Sequence, residues 1–220
     1  MDAKAATEFA KKLQVSLTHV VREEYEMVIL KEIFDSRFGK YLIFKGGTAL
    51  RLAYRSPRFS EDLDFTATKG LSVEKFLVFL KGLTRLSGIV KVEAREKFYT
   101  VFALVKVKNQ ILPTAISIKV EVSKRKKEWV KGRDYDDMLI SSEMAVFRIL
   151  AQVARIERIL EEKEDALKNR NAPRDRFDWW FIKQSLGERV SLDFGGIDPK
   201  VVKSEMHRLL PRPQWRVIES

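Results

Sequence analysis

Two short patterns in this chain have the residue types and spacing to do chemistry: Lys45-Gly46-Gly47-Thr48, and the carboxylates Asp62 and Asp64 beyond it. A Gly-Gly-Thr turn that enters a helix offers backbone N–H groups and the positive end of a helix dipole to a phosphate. A nearby pair of strand carboxylates offers hard oxygen ligands to Mg²⁺. Together they suit a nucleoside triphosphate, with cations neutralising the charge that moves onto departing pyrophosphate. Taken singly, each pattern has a plain explanation: a tight strand-to-helix turn for the glycines, a wet strand edge for the aspartates. It is their agreement on one geometry that favours a site. A P-loop, Gly-x-Gly-x-x-Gly and Gly-x-Ser-x-Gly are all absent, so P-loop NTPase, dinucleotide dehydrogenase and serine hydrolase chemistry lose support.

The elements that must hold these residues can be read from apolar periodicity. Tyr41 to Phe44 is a hydrophobic run leading into the glycines, and Ala49, Leu50, Leu52, Ala53 and Tyr54 continue as a short helix that ends at Ser56-Pro57. Phe59, Leu63 and Phe65 alternate with Ser60, Asp62 and Asp64, the period of a half-buried strand, so both aspartates point to one face. Upstream, two helices are expected between Thr7 and Phe34, with a break near Ser16 to His19. Downstream, Ser72 caps a helix through Leu86, and three alternating strands follow over residues 89–95, 98–108 and 114–123. Glu121 is the one carboxylate of the last strand, where it and Lys119 also read as the wet side of an edge.

The basic cluster Lys124 to Lys127, with Trp129 and Lys131-Gly-Arg133 beyond, is expected as an exposed loop, solvated or touching a phosphate backbone. Glu143 to Val153 fits a helix by spacing and a strand by composition, and periodicity leaves it open. Arg155 to Lys168 is an amphipathic helix; if it persists, Lys163 and Arg170 lie on one face, two turns apart. Pro173 opens the next helix, with Arg174 beside the entry and Asp175 and Asp178 sharing a face near its positive end. Asp198-Pro199 caps a last helix to Leu210. His19 and His207 are isolated and receive no role.

Composition bounds the partners. At 220 residues and 45% hydrophobic, the chain can bury a core without staples, and it has no cysteine for disulfide, thiolate-zinc or cysteine-nucleophile chemistry. No signal peptide or membrane span is found, so a cytoplasmic protein without membrane function is expected. The net charge of +11 attracts polyanions, nucleic acid first among them.

The order Lys-Gly-Gly-Thr, helix, Arg58-x-Ser-x-Asp62-x-Asp64, then Lys163-x-x-Ala-Leu-x-x-Arg170 and Arg174-Asp175-x-x-Asp178 resembles the AbiEii/AbiGii nucleotidyltransferase toxins, including the MenT toxins, from about Arg22 to Ile182. The resemblance implies an α+β, DNA polymerase β-like nucleotidyltransferase fold: a mixed sheet flanked by helices, with a helical C-terminal part. Residues 1–135 would be the nucleotidyltransferase core and 136–220 the part that completes the site. It implies that Lys45, Gly46, Gly47, Thr48 and Arg58 bind nucleotide and that Asp62 and Asp64 bind Mg²⁺. Lys163 would meet the phosphates. Asp175 would orient Lys163 or act as base, Arg170, Arg174 and Asp178 would support them, and Glu121 would be a third carboxylate. On this layout, residues 143–153 are a strand. The implied reaction transfers a nucleotide from an NTP to a hydroxyl, with tRNA or other RNA as acceptor and an antitoxin as partner. A protein or small-molecule acceptor, or a basic nucleic-acid-binding module without catalysis, is the alternative.

Overall fold

A computed structural model describes residues 1–125 and 127–219. Helices α1 (Ala3–Leu13) and α2 (Leu17–Asp35) are separated at Gln14, which takes a left-handed conformation, and Ser16, whose hydroxyl accepts the His19 N–H to cap α2. The break runs from Gln14 to Ser16 and so meets the expected stretch at its first residue, Ser16, the residue able to cap. Strand β1 (Leu42–Lys45) runs into helix α3 (Gly46–Tyr54), and β2 (Asp62–Ala67) returns antiparallel beside β1, with Lys45 opposite Asp64. Helix α4 (Val73–Lys81) covers β3 (Ile89–Lys97), which pairs with β4 (Thr100–Val107), and β4 with β5 (Ile116–Ser123), both antiparallel.

Strands β6 (Tyr135–Ser141) and β7 (Arg148–Ala154) form a hairpin, and α5 (Ile156–Asn169), α6 (Pro173–Ser185), α7 (Pro199–Leu209) and α8 (Arg216–Glu219) finish the chain. The strands make one seven-stranded mixed sheet in the order β3-β4-β5-β2-β1-β7-β6. The expected α+β mixed sheet flanked by helices is the observed fold. The sheet runs across the 135/136 division, because β7 lies parallel to β1 and joins the β6–β7 hairpin to the rest of the sheet.

The ambiguous stretch at 143–153 resolves into a turn followed by β7. Ile149, Ala151 and Val153 are buried while Arg148 and Leu150 face out, a period of two that the match of Val146, Ile149, Leu150 and Val153 to a helix had concealed. One core cluster runs under the sheet from α2 to α5, around Phe44, Leu63, Phe65, Val120 and Val153. A separate cluster of Phe177, Val202, Met206 and Leu210 joins α6 to α7. Among the described residues no helix is long and apolar enough to cross a membrane.

Candidate active site

The glycines are placed where a side chain has no room. Gly46 has φ +79°, and a Cβ there would stand 2.6 Å from the Asp64 Oδ2. A Cβ on Gly47 would stand 2.5 Å from the Arg58 guanidinium and 2.7 Å from the Ser60 hydroxyl. Glycine lets the chain turn from β1 into α3 while the first peptide of the helix lies against the carboxylate of the next strand. No side chain caps α3, so its first N–H groups are left for another acceptor.

Register completes the row. The parallel pairing of β2 with β5 sets Asp64 beside Glu121 and Asp62 beside Lys119. The Lys119 ammonium lies 2.9 Å from Asp62 and 3.0 Å from Glu121, bridging the two carboxylates. Burial alone would lower the Lys119 pKa, but those two hydrogen bonds outweigh it and hold the ammonium above its ordinary value. Burial, then the charge of Asp62, pushes the Asp64 carboxyl up to about 6.

Across from this row stands α5. A cleft of about 250 Å³ brings Lys45, Gly46, Gly47, Asp64 and Glu121 to Lys163 and Arg170. Lys163 donates at 2.9 Å to Asp175 and lies 2.7 Å from Asp178, and Arg170 donates to the second oxygen of Asp175 at 2.8 Å. Both aspartates are completely buried on α6. Burial would raise their pKa values, yet Lys163 with Arg170 holds Asp175 low, and Arg58 with Lys163 holds Asp178 low. Both are therefore fixed anions behind the cations of the cleft.

The geometry joins most of the expected residues and redistributes some roles. Lys163 and Asp175 do fold back toward Asp64, with Lys163 in the cleft and Asp175 behind it. Arg58, expected to bind nucleotide, is instead 3% exposed and forms two bonds of 2.7 Å to Asp178, 120 residues away, so its donors are spent inside the protein. The Thr48 side chain is buried as well, donating its hydroxyl to the Asp62 carbonyl. Lys45 is held 2.6 Å from Glu162, and Arg174 pairs with Glu205 on α7 at 3.0 Å, outside the cleft. From the sequence Lys119 reads only as the wet side of an edge strand, and Glu162 has no role. The signal for Glu162 was its position next to Lys163; that for Lys119 was its offset of two from Glu121, which acquires meaning only once β5 is paired with β2.

Asp64 and Glu121 line the cleft, while Asp62, ion-paired to Lys119, is not among its lining residues; carboxylate oxygens are the donors a hard divalent cation takes. Among the described residues no group of three or more acidic, histidine or cysteine side chains is placed to hold a metal ion. The fit is to an ion held by one or two carboxylates and completed by substrate oxygens, the usual manner of Mg²⁺.

Solved structures share this architecture. JHP933 from Helicobacter pylori superposes with a TM-score of 0.61 at 24% identity, over 86% of this chain and 79% of that one. MenT4, a nucleotidyltransferase toxin from Mycobacterium tuberculosis H37Rv, superposes with a TM-score of 0.59 at 19% identity, over 92% of this chain and 68% of that one. No curated protein matches the chain in sequence. The family model for the nucleotidyl transferase AbiEii toxin of type IV toxin–antitoxin systems matches residues 28–208, a span that holds the whole sheet, the glycine turn and the Lys163–Asp175 pair. The chain belongs to the AbiEii family of nucleotidyltransferase toxins.

Proposed function

We infer that the cleft binds the triphosphate of an NTP with Mg²⁺ and transfers its nucleotide, with release of pyrophosphate, to a hydroxyl of RNA, with tRNA the expected acceptor. The observation that carries this reading is the convergence of Gly46, Gly47, Asp64 and Glu121 with Lys163 and Arg170 in one cleft, from segments over a hundred residues apart. The free N–H groups that begin α3 face phosphate, with the dipole of that helix behind them. Lys163 and Arg170 neutralise charge on the leaving pyrophosphate. Asp62 and Asp64, with Glu121 at their side, would hold Mg²⁺, which when bound supplies charge neutralisation at the phosphates and activates the attacking hydroxyl.

Asp175 serves as the positioning anion for Lys163 rather than as a base, because both its oxygens are engaged and none of it reaches the cleft. In this reading residues 1–135 supply the triphosphate cradle, and 136–220 bring the cations and their buried anions. A toxin of this family would be held in check in the cytoplasm by a cognate antitoxin. The test is incubation of the protein with each labelled NTP, Mg²⁺ and total RNA. Label should enter RNA with the native chain and not with Asp64→Ala; incorporation at native level by that variant would refute the site.

A further inference from the structure

The hairpin between β3 and β4 ends in two aromatic residues that the fold does not use. Phe98 is 84% exposed and Tyr99 55% exposed, with their rings edge-to-face at 4.4 Å. Apolar rings of this size cost free energy in water unless something covers them. Their surroundings say what could. Arg95 and Lys97 stand on the same hairpin, with Lys97 4.3 Å from the Phe102 ring centroid. Arg125 approaches the Tyr99 ring at 5.8 Å, and the Tyr99 carbonyl accepts the Lys124 N–H, tying the tip to the basic loop. Of the acids on this hairpin, Glu96 pairs with Lys124 and Glu93 with Lys91.

This tip opens onto the active site. Thr100, the next residue after Tyr99, lies opposite Ser123, and both line the triphosphate cleft. Ser123 also lines a second cleft of about 190 Å³, together with Lys45, Arg125, Lys127, Trp129 and Arg158; its acids are Glu161, paired with Arg158, Glu162, paired with Lys45, and Asp165. In it the Arg158 guanidinium lies 5.0 Å from the Trp129 ring centroid, and its buried Nε has no acceptor among the described residues. Exposed rings set in a cationic track are the way proteins hold unpaired bases and their backbone together.

We propose that the Phe98-Tyr99 tip, Arg125, Lys127 and the Trp129 cleft form a track for single-stranded RNA that delivers the acceptor hydroxyl to the triphosphate cleft. Bases stack on the exposed rings, phosphates meet Arg125 and Lys127, and the strand end passes Thr100 and Ser123. Duplex fits poorly, because stacked pairs leave no base face for the rings. The track rests on the reading of the cleft as the transfer site and names how the acceptor reaches it.

The test compares the native chain with Phe98→Ala/Tyr99→Ala and with Arg125→Ala/Lys127→Ala, using a short labelled single-stranded oligoribonucleotide, its duplex, and NTP with Mg²⁺. The aromatic variant should bind the single strand at least about fivefold more weakly. The basic variant should weaken it too, with the slope of log affinity against log salt shallower by roughly 1.4. Both should leave the Tm rise caused by NTP and Mg²⁺ unchanged. Native-level affinity of the aromatic variant for the single strand, or native preference for duplex, overturns the track. Failure of NTP to bind the native chain, with RNA binding still sensitive to Phe98 and Tyr99, would sink the transfer reading and leave the track.

Discussion

Replacing Asp178 by Ala would open the structure at the joint between the two halves of the site. Asp178 has no exposure, accepts two bonds of 2.7 Å from Arg58 and lies 2.7 Å from Lys163. Without it the Arg58 guanidinium keeps only the Phe59 carbonyl, at 2.8 Å, in a place that water does not reach. Removing one partner of a buried pair costs on the order of 3–5 kcal/mol, most of it the desolvated charge left behind. At roughly 2–4 °C per kcal/mol for a chain of this size, the Tm should fall by on the order of 10 °C. The companion variant removes both charges, Arg58→Met with Asp178→Leu. It leaves Lys163 its bond to Asp175, and a well-packed apolar pair in place of a buried ion pair is near neutral or stabilising. Urea denaturation of the two variants measures the difference. A loss under about 1 kcal/mol for Asp178→Ala, or a double variant as unstable as the single one, would show that the Arg58–Asp178 joint is not what holds α6 against the glycine turn.

Further outcomes follow from the same geometry. Gly46→Ala combines a positive φ, costing roughly 1–2 kcal/mol, with a clash against Asp64, and by displacing that carboxylate it should lower transfer by about 100-fold; near-native turnover would refute the close approach. Lys119→Met removes the ammonium that bridges Asp62 and Glu121, and should tighten Mg²⁺ binding about fivefold, from on the order of 1 kcal/mol at this partly exposed pair; unchanged or weaker binding in a Mg²⁺ titration of Tm would show that Lys119 does not compete for the carboxylates. Asp64 keeps its proton to about pH 6 in the native chain, so its contribution to stability falls as pH rises from the ordinary aspartate range to 6 and is level above. Asp175 and Asp178, held low, contribute stability above the unfolded aspartate pKa that is lost as pH falls through their native values. The Tm gain from Mg²⁺ and NTP should therefore be larger well above pH 6 than well below it, and an equal gain would contradict the Asp64 assignment.

Much of the site was legible because its signals are local. Gly46 and Gly47 announce a turn that admits no side chain, alternation puts Asp62 and Asp64 on one face, and Pro173 fixes the start of the helix that carries Asp175 and Asp178. Other parts depended on pairings between distant segments. Arg58 reads in sequence as a cation beside a metal motif, and only the position of α6 turns it inward. Strand β6 was not foreseen: it is an edge strand with Leu139 exposed, Ile140 buried and two adjacent aspartates that weaken its strand character. The role of Lys119 required knowing that β5 lies parallel to β2.

The two halves of the cleft meet through ions where apolar side chains would be the commoner adhesive. Three cations, the buried Arg58 and Lys163 and the exposed Arg170, share two fully buried aspartates in one chain of contacts from the loop before β2 to the end of α5. Such a chain need add little to stability, since buried ion pairs roughly break even against apolar replacements. What it does supply is position: each carboxylate oxygen is assigned to a donor, so Lys163 has one place to stand relative to Asp64. An apolar contact of equal strength would tolerate sliding, and a cation that slid by an ångström would no longer face the phosphate that the glycine turn is proposed to hold. The double variant of Arg58 and Asp178 separates these effects, because it should keep the fold while lowering transfer.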